Sequence, residues 1–429
     1  MVLAPRALLL DSFRAALAAA DPLRVLPPAL PSPEAIARYR RCLVVGAGKA
    51  AASMALAVEQ HWPPAAPLEG LVVTRHGHGL PCARIEVLEA GHPLPDQAGL
   101  QAAERILDAA RRLDEDDLLL VLLSGGGSSL LALPQQGVDF DDLRLVTTRL
   151  LACGAPIQEI NTVRKHLSRI QGGRLAQATR AQVLALVISD VAGDTLSAIA
   201  SGPCAPDPGR FEDALAVLHR WRVDVPASAL AHLRKGVEGR AEETPKPGDP
   251  LFERVEHRLV ATAHASLEAA ARVFEAAGVR PVVLGDTITG EAREVAGVMA
   301  AIVREIAGYG QPFRRPVALI SGGECTVTVR GRGRGGRCAE FTLALAQALQ
   351  GVDGVWALAA DTDGIDGSED NAGAMLAPDT LARAAQCGLD AGRLLDDNDA
   401  WSFFARLDDL VMTGPTRTNV NDYRAILLA

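Results

Sequence analysis

The side chains best suited to chemistry in this chain follow short apolar runs that break into glycine-rich or acidic turns. These are LVVGAGKA at 43–50, LLLVLLSGGGSSLL at 118–131, LALVISDVAGD at 184–194, VALISGGECTV at 317–327 and VWALAADTDGIDG at 355–367. A strand that ends in glycines presents free backbone N–H groups and admits close approach of a ligand, which suits an anion such as phosphate. Carboxylates at strand ends suit two complementary tasks, holding Mg²⁺ or accepting a proton from a hydroxyl nucleophile. The repetition points to a phosphate-handling enzyme.

In the first turn, Gly46 and Gly48 precede an alanine-rich segment, and Lys49 sets a point charge where a helix N-terminus already favours an anion. The spacing approximates a dinucleotide-binding turn with Ala51 in the third small position. The next strand, however, runs into Thr74-Arg75 where an NAD(P) site wants an acidic residue, a pair that could at most suit a 2′-phosphate. A tight turn with a solvent-facing lysine is the plain alternative. In the second turn, Ser124, Gly125, Gly126, Gly127, Ser128 and Ser129 offer hydroxyls and amides that can wrap a phosphate chain, and Gly322-Gly323 end a strand the same way in the second half.

Asn161, Arg164 and Lys165 lie in NTVRKH, which opens a predicted helix and is followed by Gly172-Gly173-Arg174. Such a run is either a solvated helix face or a clamp for a substrate carboxylate. Asp190 and Asp194 are the strongest metal or base candidates, and Asp361, Asp363 and Asp366 form a second acidic cluster; capping or turn formation explains a single aspartate at such a place more often than metal does, so the clusters carry the reading and not each member. RGRGRGGR at 330–337 reads as a hairpin or mobile loop aiming Arg337 into a cleft.

A net charge of −9 with 4% aromatic residues gives neither a phosphate-tracking basic face nor a base-stacking platform, so nucleic acid is not an expected partner. The seven cysteines are scattered without zinc spacing and suit reduced thiols. No run reaches the roughly 20 apolar residues of a membrane span, and a cytoplasmic protein is expected, monomeric or homodimeric.

These groups need a scaffold. Apolar strands alternate with Ala/Leu/Arg segments such as 98–113, 142–153 and 267–277, the pattern of crossover helices over a largely parallel sheet. An amphipathic helix is predicted over 6–20. The polar stretch KGVEGRAEETPKPGDP at 235–250 reads as a linker, dividing the chain into α/β domains over 1–240 and 250–429.

Together VVGAGKA, GHPLPDQAG, LLSGGGSSLL, NTVRKHLSRIQGGRLA, ISDVAGDTLSAIASGP, ISGGECTV, GRGGR, DTDGIDG and TGPTRTNVND resemble the glycerate 2-kinase family, in the same order and over nearly the whole chain. The resemblance implies a Rossmann-like α/β/α N-terminal domain (DUF4147), a smaller mixed α/β MOFRL domain, and an active site in the cleft between them. It further implies phosphorylation of D-glycerate to 2-phosphoglycerate with ATP and Mg²⁺, with Lys49 and Arg337 as the leading catalytic residues. Asp190 then becomes the base or, with Asp194, the metal site, and Arg164 the carboxylate partner, with Asn161 and Lys165 beside it. The chain departs from the family at Cys338-Ala339, where Asn-Gln is usual, and at Arg417, where glycine is usual. An NAD(P)H-dependent hydroxypyruvate or tartronate-semialdehyde reductase is the rival reading.

Overall fold

The computed structural model describes residues 4–429. The chain divides into two compact units: Pro22–Val260, and the N-terminal residues through Asp21 together with Ala261–Ala429.

In the unit Pro22–Val260 the strands β1 (Cys42–Ala47), β2 (Glu69–Arg75), β3 (Ile85–Ala90), β4 (Leu118–Leu123), β5 (Gln182–Ile188) and β6 (Val255–Ala261) form a sheet in the order β3-β2-β1-β4-β5-β6. The pairs β1–β2, β1–β4, β2–β3 and β4–β5 are parallel. Such a sheet is covered on both faces, so its strands read as continuous apolar runs, and β4 is buried at every position. Leu43, Val45 and Ala47 of β1 pack with Ile106, Leu107 and Ala110 of the helix Gln97–Arg111. The chain runs outward from β1 through β2 to β3, then returns to place β4 and β5 on the other side. Ligands in open α/β sheets bind beyond the carboxyl ends of strands at such a reversal. The turns after β1 and β4, Gly48-Lys49 and Ser124–Ser129, leave the sheet at this point.

In the other unit β7 (Arg280–Gly285), β8 (Gly290–Glu291), β9 (Val317–Ser321), β10 (Cys325–Thr326), β11 (Val355–Asp361), β12 (Gly373–Leu376), β13 (Leu410–Val411) and β14 (Asp422–Leu428) form a mixed sheet ordered β13-β12-β11-β14-β9-β7, with β8 and β10 pairing separately. The helices Ala292–Tyr309 and Arg337–Leu349 cover one face through Met299, Val303, Phe341 and Leu345, against Leu319, Ala357 and Ile426. Pro5–Ala18 and Ala263–Ala276 cover the other through Phe13, Leu267 and Phe274, against Ile320, Leu358 and Ala425.

Two boundary expectations differ from this arrangement. The first helix sits with the C-terminal unit, because its apolar stripe Leu9, Phe13 and Ala16 joins that core. Phe13 stacks on Tyr423 at 5.6 Å between centroids, and the Tyr423 hydroxyl bonds Ser12 Oγ at 2.8 Å. The stretch 235–250 is a strap on the first unit: the Thr244 hydroxyl donates to Asp207 at 3.0 Å and Glu243 holds His166 at 3.0 Å. The chain then adds β6 to the first sheet before it passes to the second unit. Among the described residues no helix is long and apolar enough to cross a membrane.

Candidate active site

The two glycine turns of the first unit are stitched together by the backbone. The Lys49 amide donates to the Gly125 carbonyl at 2.8 Å, the Ala50 amide to Ser124 Oγ at 3.0 Å, and the Ser124 amide to the Ala47 carbonyl at 3.2 Å. Gly48 has φ +140°, and a β-carbon there would overlap Ser124 Oγ, so only glycine lets the turns approach. Gly46 lies inside β1, paired with Val72 and Leu122, and serves the strand. Among the described residues the amides of Gly125 and Gly126 donate to no protein group. Two free donors beside a half-buried lysine make a cradle for an anion. Ser124 is spent on the turn, and Ser129 Oγ donates to the Gly126 carbonyl at 3.1 Å.

Asn161 and Arg164 reach the same place from the helix Ile157–His166. Arg164 Nη1 donates to Asn161 Oδ1 at 3.4 Å, and Asn161 Oδ1 also accepts from Ser201 Oγ at 3.2 Å. Ser201 Oγ lies 2.9 Å from Ser128 Oγ. Arg164 lines a small hollow with Ser128, Ser129, Ser168 and Gln171. Among the described residues it has no carboxylate partner, and burial pushes its pKa down to about 10. A half-buried guanidinium without a counter-ion is relieved when an anion joins it, so the position suits a ligand carboxylate. Lys165 points elsewhere: it is buried against Asp207 at 3.3 Å, and burial lowers its pKa against the pull of that carboxylate. It belongs to the strap's anchorage and not to this group.

Asp190 is half-buried two residues beyond β5, and Asp194 holds a left-handed turn at φ +52° with its amide on the Val191 carbonyl at 3.0 Å. Among the described residues no group of three or more His, Cys, Asp or Glu side chains is placed to hold a metal ion. A Mg²⁺ that arrives with a nucleotide takes most of its ligands from phosphates and water and needs only one or two carboxylates; Asp190 and Asp194 are the residues expected to supply them.

In the second unit Arg337 is the first residue of the helix Arg337–Leu349, where the helix dipole opposes a cation. Acids offset this. Arg337 Nε donates to Asp422 at 2.7 Å, Nη2 to Asp361 at 2.7 Å, and Nη1 faces the exposed Glu324 at 2.9 Å. Burial works against its charge, yet these carboxylates lift its pKa well above the usual value. Asp366 accepts the Cys338 amide at 2.9 Å and the Ala339 amide at 2.8 Å, capping the helix. Complete burial pushes the Asp366 pKa up to about 7, against those two amides. The turn at Gly322-Gly323 faces inward: the Gly322 amide donates to Gly285 at 2.9 Å, and the Gly322 and Gly323 carbonyls accept from the buried Arg424. These bonds tie the turn to β7 and β14.

The loop 330–336 is fixed. The Arg330 and Gly331 amides donate to Asn398 Oδ1 at 2.8 and 3.0 Å, Arg332 to Asp397 at 3.0 Å and Arg334 to Asp399 at 3.0 Å. Asn398 Nδ2 in turn donates to Glu340 at 2.9 Å, in the first turn of the Arg337 helix. Sequence reasoning missed Ser201, Asp422 and Arg424; the charged Asp422 and Arg424 in an otherwise apolar final strand were the available signal for two of them.

Comparison with known proteins gives a consistent relationship. Residues 8–234 match the family model described as a domain of unknown function (DUF4147), and residues 317–422 match the MOFRL family. A protein of Pyrococcus horikoshii named glycerate 2-kinase is 38% identical over 88% of this chain and 85% of its own. A crystal structure of a glycerate kinase from Thermotoga maritima superposes with a TM-score of 0.85 at 37% identity, covering 99% of both chains. A protein of Agrobacterium vitis, provisionally named hydroxypyruvate reductase, is 49% identical over 97% of this chain and 93% of its own.

Proposed function

The chain belongs to the glycerate 2-kinase family, and from that premise we propose that it transfers the γ-phosphoryl group of ATP to the 2-hydroxyl of D-glycerate, giving 2-phosphoglycerate. The observation that carries the reading is the joined pair of turns after β1 and β4, with the Gly125 and Gly126 amides open beside Lys49. Phosphoryl transfer is catalysed chiefly by positioning and charge stabilisation. In this reading Gly125 and Gly126 bind nucleotide phosphate oxygens, and Lys49 stabilises the charge of the transferred group. Arg164 takes the glycerate carboxylate and orients the 2-hydroxyl.

Arg337 is the second cation proposed to stabilise phosphoryl charge. Its bonds to Asp361 and Asp422 fix the guanidinium, while Glu324 is more than half exposed, at 55%, and is the partner that yields to an incoming phosphate. Mg²⁺, held by Asp190 and Asp194, would offset phosphate charge when bound with the nucleotide. Asp190 is also the candidate to accept the hydroxyl proton.

The reductase name on the Agrobacterium vitis relative has little support in the first turn. Where β2 ends, an NAD site would want a carboxylate, and Thr74-Arg75 stands there instead, which could at most suit the 2′-phosphate of NADP; the buried Thr74 sets its hydroxyl 3.4 Å from the Lys49 carbonyl.

The test is purified protein with ATP, Mg²⁺ and D-glycerate, followed for ADP and for the position of phosphate on the product, beside NADPH with hydroxypyruvate. ADP with 2-phosphoglycerate is expected; nicotinamide oxidation without ADP would overturn the reading. Lys49→Ala should lower kcat by about a hundredfold or more, as loss of a charge-stabilising donor does.

A further inference from the structure

Three consecutive residues beside the glycine cradle adopt left-handed backbone, and two of them are not glycine. Ala200 has φ +50°, Ser201 φ +58° and Gly202 φ +58°. A non-glycine residue held there stores strain of about 1–3 kcal/mol, so the surroundings must enforce it. They do. The Ser201 and Gly202 carbonyls accept the Gly172 and Gly173 amides at 3.0 and 2.7 Å, and the Ser201 and Gly202 amides close back on Ala198 and Ile199 at 3.1 and 2.8 Å.

The bend carries the fully buried Ser201 hydroxyl to one point, 2.9 Å from Ser128 Oγ and 3.2 Å from Asn161 Oδ1. Asn161 is itself oriented: Nδ2 donates to the Ala198 carbonyl at 3.3 Å, which leaves Oδ1 to receive Ser201 and Arg164. Gln171 fixes the other end by donating to the Ser128 carbonyl at 2.7 Å. The result is a continuous relay from Arg164 through Asn161 and Ser201 to Ser128. It joins the unpaired guanidinium to the hydroxyl rim of the glycine turn.

We propose that Ser201 is a positioning residue that sets the Arg164 guanidinium against the Ser128 hydroxyl, and so gives the site its fit for the carboxylate of a small 2-hydroxy acid. This rests on the kinase reading for the identity of the acid, but the relay itself is tested by binding. Ser201 has one proton and shares it between two oxygens that it holds apart. Without the hydroxyl, Ser128 and Asn161 lose their common partner, and Arg164 loses the constraint transmitted through Asn161.

Ser201→Ala and Ser201→Gly separate this role from a structural one. Both should raise the KM for D-glycerate by about tenfold, the equivalent of one hydrogen-bonded contact, with the KM for ATP held within about twofold. Ser201→Gly, which also relieves the left-handed strain, should melt at or above the wild-type temperature while keeping the KM defect. Ser128→Ala combined with Ser201→Ala should be no worse than the poorer single variant, because both break one relay.

The D-glycerate-induced shift in melting temperature gives a readout independent of turnover. If wild type is stabilised by D-glycerate but forms no ADP, the kinase reading fails, and the relay is judged by loss of the shift in Ser201→Ala. If Ser201→Ala keeps the wild-type KM and shift, or if its only effect is a lower melting temperature, the relay is overturned. Absence of any D-glycerate-induced shift in wild type overturns both.

Discussion

Arg337 Nε donates to Asp422 Oδ1 at 2.7 Å while Nη2 of the same guanidinium donates to Asp361 at 2.7 Å. Both carboxylates are buried, at 2% exposure. Removing the cation strands two buried charges, and breaking a buried pair typically costs about 3–5 kcal/mol. Arg337→Ala should therefore be less stable as well as inactive, as chemical denaturation would show. Loss of activity in that variant alone is poor evidence for a catalytic role. Arg337→Lys retains a charge but not the two-sided fork, and it should recover part of the stability and little of the turnover. Full activity in either variant would remove Arg337 from the proposed chemistry.

Gly126 should tolerate no side chain. Its φ is +82°, and a β-carbon would come within 2.9 Å of the His92 ring. Gly126→Ala adds left-handed strain of about 1 kcal/mol or more and displaces the open amides. A raised KM for ATP with a modest fall in melting temperature is expected; an unchanged KM for ATP would separate this turn from the nucleotide.

Asp366 supplies a pH dependence whose sign is fixed by its burial. Its pKa is pushed up to about 7 in the folded protein from an ordinary carboxyl value of 3.8. Between these values the folded state holds a proton that the unfolded chain has lost. The contribution to stability is complete below about pH 4 and is lost as pH rises through about 7. Asp366→Asn cannot ionise, so the difference in unfolding free energy between wild type and variant should drift across pH 4–7 and level off above it. A constant difference would show that Asp366 is ionised throughout.

Much of this scaffold was legible in the sequence because its signals are local. The continuous apolar runs of β1, β4 and β5 announce a buried parallel sheet, and each breaks into its turn where the chain must leave the sheet. Lys49, the Ser124–Ser129 turn and Arg164 were therefore visible by type and position. What was not legible depends on partners far along the chain. Helix Pro5–Ala18 looked like the start of the first domain, but its stripe is completed by Phe274 and Tyr423. Lys165 looked like Arg164 until Asp207 claimed it. Gly322-Gly323 matched the other glycine turns in composition, but nothing local announced that their carbonyls are held by Arg424 from the last strand. Ser201 carries no signal of its own, since its importance lies in a backbone angle.

The loop 330–336 offers a direct check on rigidity. Its composition, alternating arginine and glycine, reads as mobile, and three arginines in an open loop would be cut readily by trypsin. Here the amides of Arg330, Gly331, Arg332 and Arg334 are all bound by the 397–399 turn, and Arg334 lies 3.7 Å over the Trp401 ring while pairing with Glu369. Cleavage requires local opening, whose free energy rises with each bond that must break. Native protein should resist trypsin at these arginines. Asn398→Ala deletes the one oxygen that accepts two of these amides and the link to Glu340 together, so peptides ending at Arg330, Arg332 and Arg334 should appear early in its digest. The same change removes one of the bonds on the first turn of the helix that carries Arg337, beside those of Asp366 and Arg293, and turnover should fall with the loss of protection. Equal digestion of variant and wild type would mean that Asn398 does not hold the loop, and the rigidity ascribed to it would have to come from Asp397 and Asp399 alone.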